Sequence, residues 1–521
     1  VIKGKESFLF LWIHKCKIMV QHDIIILGAG LGGLLCGVIL AKEGYNVGII
    51  EQNRQIGGCL QSFSFGKKLF DSCIHYIGSV SEGKNQYKIF KYAEILDQLD
   101  LMPYELDCYD AILTGDDPVM YPLAQGYDNY VAQLAKYFPH QREALENYVA
   151  LIRDVLQKFP LYMLKNGDPT EKLDVLNWTL KEVIDDLFSD EKLKDIVVGN
   201  SILYAGNSDT TPFYIHALVC SSYIEGAYKV RGSSARIAKA LWKSLQKYGG
   251  TIYRNEKVTL IREREDASIE VQTHTGKHYI GGKCISNIHP KQTLSLLESN
   301  KIKKAFRQRI EEAPNSVSIL MVNIVLRPRT IPHRKYNIYW NEGNAMEVLQ
   351  RLDPESPDHY AIYFTEDNRA PGFAETISLL SYMDVKELAP YSHTFNNTGV
   401  PVVRNHEYEA YKNKIAQLLI DKVAVRFPEI KEACLKFKVA TPLTFRDYMG
   451  TDDGSVYGII ADARSPLSSQ ISVQTKVPNL FLTGQNINVH GVLGVSITAV
   501  STCAHILGLD YLLSKLNQED A

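Results

Sequence analysis

At 521 residues the chain is too long for one hydrophobic core, and we expect it to divide into two or three domains. Its 57 lysines and arginines almost balance 59 aspartates and glutamates, so the formal net charge of −2 argues against nucleic acid as a partner. The nine cysteines show no CxxC or CxxH spacing, which argues against a disulfide framework and a structural zinc. We therefore expect no metal and a reducing, cytoplasmic setting.

The first 18 residues form a distinct segment. An apolar run at 8–13 lies between Lys5 and Lys15, and no cleavage site of small residues follows it. Six apolar residues are too few to span a membrane, although a weak interfacial anchor is an alternative. We expect residues 1–18 to be an N-terminal extension outside the fold, so that a chain beginning at Met19 would keep its ligand binding and its thermal stability.

Residues 23–58 have the pattern of a dinucleotide-binding unit. A buried strand is expected at 23–27, a helix at 34–43 and a second strand at 46–50, with a GxGxxG turn after the first strand. A purely structural strand–helix–strand turn is the alternative. The strand before the turn, the helix after it and the acid that follows the second strand together favour dinucleotide binding.

Each glycine of this turn would have a separate task. Gly28 would make the tight turn, Gly30 would let a pyrophosphate approach the backbone, and Gly33 would let the helix pack closely on the strand. Glu51 lies 18 residues after Gly33, close to the spacing at which an acid reaches a ribose hydroxyl. The predicted binding residues of this unit are Gly28, Gly30, Leu31, Gly33, Glu51 and Gln52.

A second glycine pair, Gly57 and Gly58, follows Glu51 by six and seven residues. The arrangement resembles flavoproteins of the glutathione-reductase type, in which such a pair folds back over the pyrophosphate and leads towards the isoalloxazine. The resemblance implies FAD instead of NAD as the bound cofactor. An ordinary glycine loop is the alternative.

The residues around this pair resemble one branch of flavoproteins more closely. Gly-Gly-Cys at 57–59, Ser-Phe at 62–63, Phe-Asp at 70–71 and His-Tyr-Ile-Gly at 75–78 are similar to the retinol saturase branch of the carotenoid desaturase and isomerase family. That branch usually has Asp-Thr-Gly where this chain has Asp-Ser-Cys at 71–73, so the loop beside the flavin departs from the pattern.

This resemblance implies an α/β fold with a Rossmann-type FAD-binding domain of the glutathione-reductase and amine-oxidase kind. A second, α+β substrate-binding domain and a helical cap would complete it. The FAD-binding domain would be assembled from residues 19–104, 225–300 and 441–521. The helical cap would comprise residues 105–224, and the substrate-domain sheet would comprise residues 301–440, with strands at 316–326, 360–364 and 376–382.

Within the predicted cap, Thr179 and Glu182 have capping-box spacing, and Ser189 would cap the next helix. His216 lies in an apolar helical stretch of the same region. It would either face substrate or be a core histidine whose hydrogen bonds are satisfied.

Two later segments would complete the FAD site. The resemblance implies that Val258 contacts the adenine through its backbone, and that a strand at 479–482 leads to a helix whose N-terminus stabilises negative charge on reduced flavin. The residues implied at that end are Gly484, Gln485, Asn486, Gly491 and Val492. Flavoproteins of this class often have an acid there for the ribityl chain, but the two amides can hydrogen-bond the same hydroxyls.

His75 and Tyr76 distinguish this chain most clearly from the general carotenoid desaturase pattern. They should lie near the flavin ring, where an imidazole or a phenol could donate the proton that accompanies hydride addition to a double bond. The alternative is that His75 only hydrogen-bonds backbone in a turn. If His75 is the donor, His75→Ala would retain FAD and lose reductive turnover by a factor on the order of 10².

The resemblance implies an FAD-dependent oxidoreductase of the retinol saturase type, which saturates a C=C bond of a polyene or isoprenoid lipid. NAD(P)H or a quinone would be its electron partner, and such a substrate adds peripheral membrane contact to the cytoplasmic expectation. A desaturase, a cis-trans isomerase and a flavin amine oxidase are alternatives within the fold. A prenyl-lipid carrier resembling GDP-dissociation inhibitors would lack FAD, and Glu51 with the second glycine pair argues against it. The oligomeric state stays open.

Overall fold

The structure is a computed structural model that describes residues 19–396 and 404–518. The predicted N-terminal extension, residues 1–18, lies outside the described residues. The strands of the described part are β1 (Met19–Leu27), β2 (Val47–Ile50), β3 (Ser62–Phe65), β4 (Lys68–Asp71), β5 (Ile77–Gly78), β6 (Leu101–Pro103), β7 (Asp110–Thr114), β8 (Tyr121–Leu123), β9 (Ala227–Val230), β10 (Thr251–Tyr253), β11 (Val258–Glu263), β12 (Ile269–Thr273), β13 (His278–Ser286), β14 (Leu297–Glu298), β15 (Ser318–Leu326), β16 (Asn337–Asn341), β17 (His359–Glu366), β18 (Ala374–Met383), β19 (Cys434–Ala440) and β20 (Leu480–Leu482).

The helices of the described part are α1 (Leu31–Lys42), α2 (Asn85–Tyr92), α3 (Tyr127–Ala135), α4 (Arg142–Gln157), α5 (Leu180–Leu187), α6 (Glu191–Val197), α7 (Phe213–Ile224), α8 (Ala235–Lys247), α9 (Pro290–Leu296), α10 (Lys304–Glu312), α11 (His406–Ala424), α12 (Pro428–Ala433), α13 (Pro442–Met449), α14 (Gly491–Leu507) and α15 (Leu509–Asn517). Within residues 19–396 and 404–518, no helix combines the length and the apolarity needed to cross a membrane.

An eight-stranded sheet carries the predicted dinucleotide-binding unit. Its order is β10-β2-β1-β13-β12-β11-β14, with β20 beside β13. Strands β10, β2, β1, β13 and β20 are parallel, whereas β11, β12 and β13 form an antiparallel meander. β1 occupies the centre because its residues 24–27 are apolar and fully buried, as a strand covered on both faces requires. Three segments that are distant in the chain therefore build the parallel part of this sheet.

The first strand and helix each start earlier than the sequence pattern predicts. β1 begins at Met19 instead of residue 23, because residues 19–22 pair with β13. α1 begins at Leu31 instead of residue 34, because the glycine turn is itself the first helical turn: the Leu34 N–H donates to the Gly30 carbonyl over 2.9 Å. Glycine is a poor helix former, so the sequence pattern conceals this start.

α1 packs on the sheet and against α8 and α14. Every residue from Leu31 to Ala41 is buried, so the helix has no polar face. Gly33 allows the close approach to the strand, because a Cβ at this position would lie only 2.1 Å from the carbonyl oxygen of Gly28.

A seven-stranded sheet of order β19-β15-β18-β17-β16-β7-β8 forms the second domain. All neighbouring strands are antiparallel except β16 and β7, which are parallel. Both faces are buried: alternate side chains enter the core shared with the dinucleotide-binding unit, and the others pack against α11. The strands predicted at 316–326, 360–364 and 376–382 are present as β15, β17 and β18.

The segment predicted to be a helical cap is only partly helical. Residues 110–114 and 121–123 form β7 and β8, which join the edge of the second sheet. The apolar stretch of β7 is too short to show a strand or helix periodicity in the sequence. It forms a strand because it pairs with β16, which is distant in the chain.

The remaining part of this segment contains α3 to α7. Thr179 caps α5 in the predicted capping box with Glu182. The prediction that Ser189 caps the next helix is wrong, because Asp190 caps α6 by accepting the Leu193 N–H over 3.0 Å. The Ser189 hydroxyl instead accepts a hydrogen bond from the side-chain amide of Gln141 over 2.7 Å.

Candidate active site

The glycine turn and the second glycine pair fold onto each other at the carboxyl end of β1. Gly28, Gly57 and Gly58 all have positive φ, at +91°, +114° and +55°, a region that other residues rarely adopt. The Gly57 N–H donates to the Ala29 carbonyl over 2.8 Å, and Gly57 pairs with Gly30 in a short parallel bridge. Two stretches of backbone without side chains therefore meet beside the N-terminus of α1.

Glu51 supports this turn from the end of β2. One carboxylate oxygen accepts the Ala29 N–H and the other accepts the Asn53 N–H, each over 2.8 Å. Burial raises the pKa of the carboxyl group, while the hydrogen bonds from Asn53 and Ala29 oppose that change. A carboxylate oxygen has more than one lone pair, so Glu51 can still accept a hydroxyl of a bound ribose.

A cavity of about 740 Å³ runs along these glycines. All but one of the cofactor-binding residues predicted from the sequence line it: Gly28, Gly30, Leu31, Glu51, Gln52, Gly57, Gly58, Val258, Gly484, Gln485, Asn486, Gly491 and Val492. The exception, Gly33, lies behind the turn, where it packs against Gly28. Residues that are far apart in the chain thus form one continuous wall.

Sequence reasoning missed Asn287, which follows β13 and also lines the cavity. Its side chain fills the space between three glycines, since a Cβ at Gly30, Gly32 or Gly484 would lie 2.9, 2.6 or 2.7 Å from its amide atoms. The only signal in the sequence is its place at the carboxyl end of a parallel strand, where ligands bind in open α/β sheets.

The N-terminus of α14 also lines the cavity. Gly491 and Val492 begin this helix of 17 residues, and both line the cavity. The first N–H groups of a helix have no partner within the helix and carry partial positive charge. His490 precedes them and is held by the Leu203 carbonyl, 3.1 Å from its Nε2 atom. Burial lowers the pKa of His490 to about 4, so the ring is neutral at pH 7.

A buried ionic cluster forms part of the wall beside α13. Both oxygens of Asp447 are engaged: Arg404 donates to one over 2.6 Å, and Arg446 donates to the other over 2.8 Å. The Asn396 N–H also donates to Asp447, over 2.8 Å. The side chains of the three charged residues are 0 to 9 % exposed, so water does not replace these contacts. The sequence offers no signal for this cluster, because Arg404 is distant in the chain.

Two thiols meet near the second glycine pair. Cys59 lines the cavity, and its Sγ lies 3.3 Å from the sulfur of Met449. A hydrogen bond from the Cys73 side chain lowers the pKa of Cys59. Cys73 stands where the resembling branch usually has glycine.

The three residues predicted to be catalytic do not line the cavity. His75 is buried and follows Ile74, which does line it. Burial, and after it Lys229, lowers the pKa of His75 to about 3, so the imidazole is neutral at pH 7. Its Nε2 atom is buried and has no hydrogen-bond partner among the described residues. Tyr76 donates to the carboxylate of Asp110 over 2.9 Å.

His216 lies in the middle of α7 and is fully buried. Its two ring nitrogens are held by Tyr148 at 2.6 Å and Tyr204 at 2.8 Å. Burial lowers its pKa to about 3. This geometry is that of the alternative considered for His216, a core histidine whose hydrogen bonds are satisfied.

The site as a whole fits an adenine dinucleotide: backbone without side chains for a pyrophosphate, an acid for a ribose, and the N-terminus of a second helix in the same cavity. No group of histidines, cysteines or acids suited to a metal occurs in the described part of the chain. Fold and site together define a Rossmann-like dinucleotide-binding fold with a second, sheet-based domain. A solved putrescine oxidase has this fold, with a TM-score of 0.62 and 13 % identity over 94 % of this chain and 99 % of the oxidase.

Comparisons with known sequences show which proteins this chain is similar to. Residues 26–93 match the NAD(P)-binding Rossmann-like domain family. The chain is 25 % identical to the human all-trans-retinol 13,14-reductase, across 91 % of this chain and 83 % of that protein. It is 23 % identical to a 4,4'-diaponeurosporene oxygenase of Staphylococcus aureus, across 91 % and 95 %. The resemblance is therefore confirmed: this chain is similar, over about nine-tenths of its length, to all-trans-retinol 13,14-reductases and to a 4,4'-diaponeurosporene oxygenase.

Proposed function

We propose that this chain is an FAD-dependent oxidoreductase that adds hydrogen across a carbon–carbon double bond of a hydrophobic polyene or isoprenoid. The cavity carries this proposal, because one continuous space of about 740 Å³ joins the glycine turn, Glu51 and the N-terminus of α14. A dinucleotide needs such an extended site. The names of the retinol reductase and diaponeurosporene oxygenase relatives support the substrate class.

The chain's residues would divide the binding of FAD between them. The backbone at Gly30 and Gly57 would accommodate the pyrophosphate, and Glu51 would accept a hydrogen bond from the adenosine ribose. Val258, which lines the same cavity, would contact the adenine through its backbone. Gln485 and Asn486 would bind the ribityl hydroxyls. When bound, FAD supplies or accepts the hydride, and the protein orients the reactants and excludes water. The N-terminus of α14 would stabilise negative charge there.

A buried layer of aromatic side chains supports a flat, conjugated substrate. Tyr76 stacks on Tyr223 with ring centroids 4.3 Å apart, and His75 stacks on Tyr363 at 4.1 Å. These residues belong to the core that the second sheet shares with the dinucleotide-binding unit. We propose that a conjugated substrate would pack against the faces of these rings.

Desaturation and cis-trans isomerisation use the same parts and remain the alternative reactions. The oxygenase relative keeps carotenoids among the candidate substrates. We propose NAD(P)H or a quinone as the electron partner and reversible contact with a membrane surface, since a polyene substrate partitions into lipid. A carrier without FAD is disfavoured, because Glu51 and both glycine segments line one cavity.

The first test is the cofactor itself. The purified protein is expected to be yellow and to release FAD on denaturation, because the backbone, Glu51 and the amides of the cavity would hold the cofactor through noncovalent contacts. The absorbance of the supernatant after denaturation gives the amount of released flavin. A colourless protein that gains no flavin spectrum when FAD is added would contradict the proposal.

The second test identifies the reaction. Photoreduced protein mixed anaerobically with all-trans-retinol or a lipid extract is expected to yield a product heavier by two hydrogens, while the flavin is reoxidised. Mass analysis measures the change. A product lighter by two hydrogens from oxidised protein would instead show a desaturase, and an isomer of unchanged mass would show an isomerase.

Cys59 offers a position-specific test of the site. In protein freed of flavin, we expect iodoacetamide to alkylate Cys59, since its lowered pKa favours the thiolate. FAD at ten times its Kd should slow this labelling about tenfold, because only the empty fraction reacts. Cys434 on β19 is a matched control outside the cavity, and its rate should not respond to FAD. Unprotected Cys59 would place the dinucleotide elsewhere.

A further inference from the structure

Asp110, at the start of β7, is an acid buried without a counterion. It is 0 % exposed and forms no ion pair within residues 19–396 and 404–518. Asn200 donates to one carboxylate oxygen over 3.0 Å and Asn337 donates to the other over 2.9 Å. Tyr76 also donates to Asp110, over 2.9 Å. A buried acid with only neutral partners is costly to ionise.

Three phenol groups continue from Asp110 in a chain. The hydroxyl of Tyr76 lies 3.0 Å from that of Tyr339, which lies 3.3 Å from that of Tyr363. Either oxygen of each pair can be the donor. A hydroxyl can donate one hydrogen bond and accept another, so a proton entering at Asp110 can leave at Tyr363.

The far end of this chain lies against His75, next in sequence to a residue that lines the cofactor cavity. Tyr339 and Tyr363 project from the second sheet into the core shared with the dinucleotide-binding unit. The ring of Tyr363 is stacked on His75, whose neighbour Ile74 lines the cofactor cavity. The unpartnered Nε2 of His75 marks this place as one with an unmet hydrogen bond.

The surroundings of Asp110 keep its proton available at neutral pH. Burial raises its pKa to about 7, although the hydrogen bonds from Asn200, Asn337 and Tyr76 oppose the change. The titratable groups that face it are phenols and thiols, all with raised pKa: Tyr76, Tyr104, Tyr109, Tyr223, Tyr339, Tyr363, Cys108 and Cys220. None of them supplies a positive charge that would favour the carboxylate.

We propose that Asp110 is the proton reservoir of a relay through Tyr76, Tyr339 and Tyr363 that protonates one carbon of the substrate double bond. This inference rests on the proposed function. Hydride adds to the other carbon and carries both electrons from the reduced flavin, so the alkene gains H⁻ and H⁺. Each phenol gives up one proton and receives another, and the Asp110 carboxylate that remains takes up a proton from solvent before the next turnover.

In this relay the neutral His75 is not the proton donor that the sequence analysis predicted. An imidazole with a pKa of about 3 holds no extra proton at pH 7. Its stacking fixes the ring of Tyr363, and its carbonyl accepts a hydrogen bond from Lys229 over 3.4 Å. His75 is thus a positioning residue in this proposal, and Tyr363 is the proton donor.

The relay is tested in single turnovers of the photoreduced holoenzyme with all-trans-retinol as the probe. Asp110→Asn and Tyr363→Phe should retain flavin and slow its reoxidation on the order of 10²-fold, the usual scale for a positioned acid. The parent rate should fall as pH rises through about 7, since the reservoir then loses its proton, and Asp110→Asn should remove this dependence. Tyr408→Phe is the control. The buried hydroxyl of Tyr408 shares a hydrogen bond with Thr441, and the residue packs in the core on the other face of the second sheet.

Infrared spectra provide a second readout that needs no substrate. The holoenzyme should show a protonated carboxylic-acid band that fades as pH rises through about 7 and is missing in Asp110→Asn. Absence of the band in the parent, or parent-like rates in Tyr363→Phe, would overturn the relay and leave the proposed function intact. A parent holoenzyme that no polyene reoxidises would overturn the proposed function, and the relay with it.

Discussion

Replacing Gly30 by valine is expected to abolish cofactor binding. Gly30 lines the cavity and pairs with Gly57, so a branched side chain would enter the space where the pyrophosphate approaches the backbone. A Cβ alone would already lie 2.9 Å from the Asn287 amide. We expect the Kd for FAD to rise by roughly 10³-fold, since a displaced pyrophosphate loses two or more charge-assisted hydrogen bonds. Titration of flavin fluorescence with apoprotein measures this loss.

A glycine outside the cavity serves as the control. Gly282 lies at an exposed position of β13, in the same sheet. Gly282→Val should keep normal flavin occupancy, whatever its small effect on stability. Full occupancy in Gly30→Val would show that the phosphates do not bind at this turn.

Removing the carboxylate of Asp447 is expected to lower the free energy of unfolding strongly. Asp447→Ala would leave the guanidinium groups of Arg404 and Arg446 buried without their counterion. Breaking a buried ion pair from one side costs about 3–5 kcal/mol, because an uncompensated charge stays behind. Arg446 would still donate to the Thr394 carbonyl, but a neutral oxygen does not balance its charge. Thermal and urea unfolding of the holoprotein measure the effect.

An exposed pair gives the comparison. Arg262 and Glu298 also form a hydrogen-bonded ion pair, at 2.7 Å, but their side chains are 47 % and 58 % exposed. Glu298→Ala should change the free energy of unfolding by no more than about 1 kcal/mol, since water solvates the remaining charge. Equal effects of the two substitutions would mean that the Asp447 cluster is solvated.

The cavity along the glycine turn was predictable because its signals are local. Gly28 and Gly30 are read from spacing within one turn, and Glu51 from the length of one strand–helix–strand unit. Glycine permits a positive φ at little cost, so the turns at Gly28, Gly57 and Gly58 use a residue type that the sequence shows directly. Strands with long apolar runs, such as β15 and β18, were predictable for the same reason.

The features that only the tertiary structure decided are those whose partners are distant in the chain. Sequence alone shows Asp110 as one acid among 59 acidic residues, and its burial depends on β16 and on Asn200. Asn287 fills the space between the glycines only because β13 lies beside β1. Likewise, the pKa of a carboxyl group is set by desolvation and neighbouring charges, and both arise only when the two sheets pack together. The sequence therefore determined where the glycine turn, its acid and the second glycine pair lie, whereas the packing of distant segments decided which acids, amides and phenols are buried together.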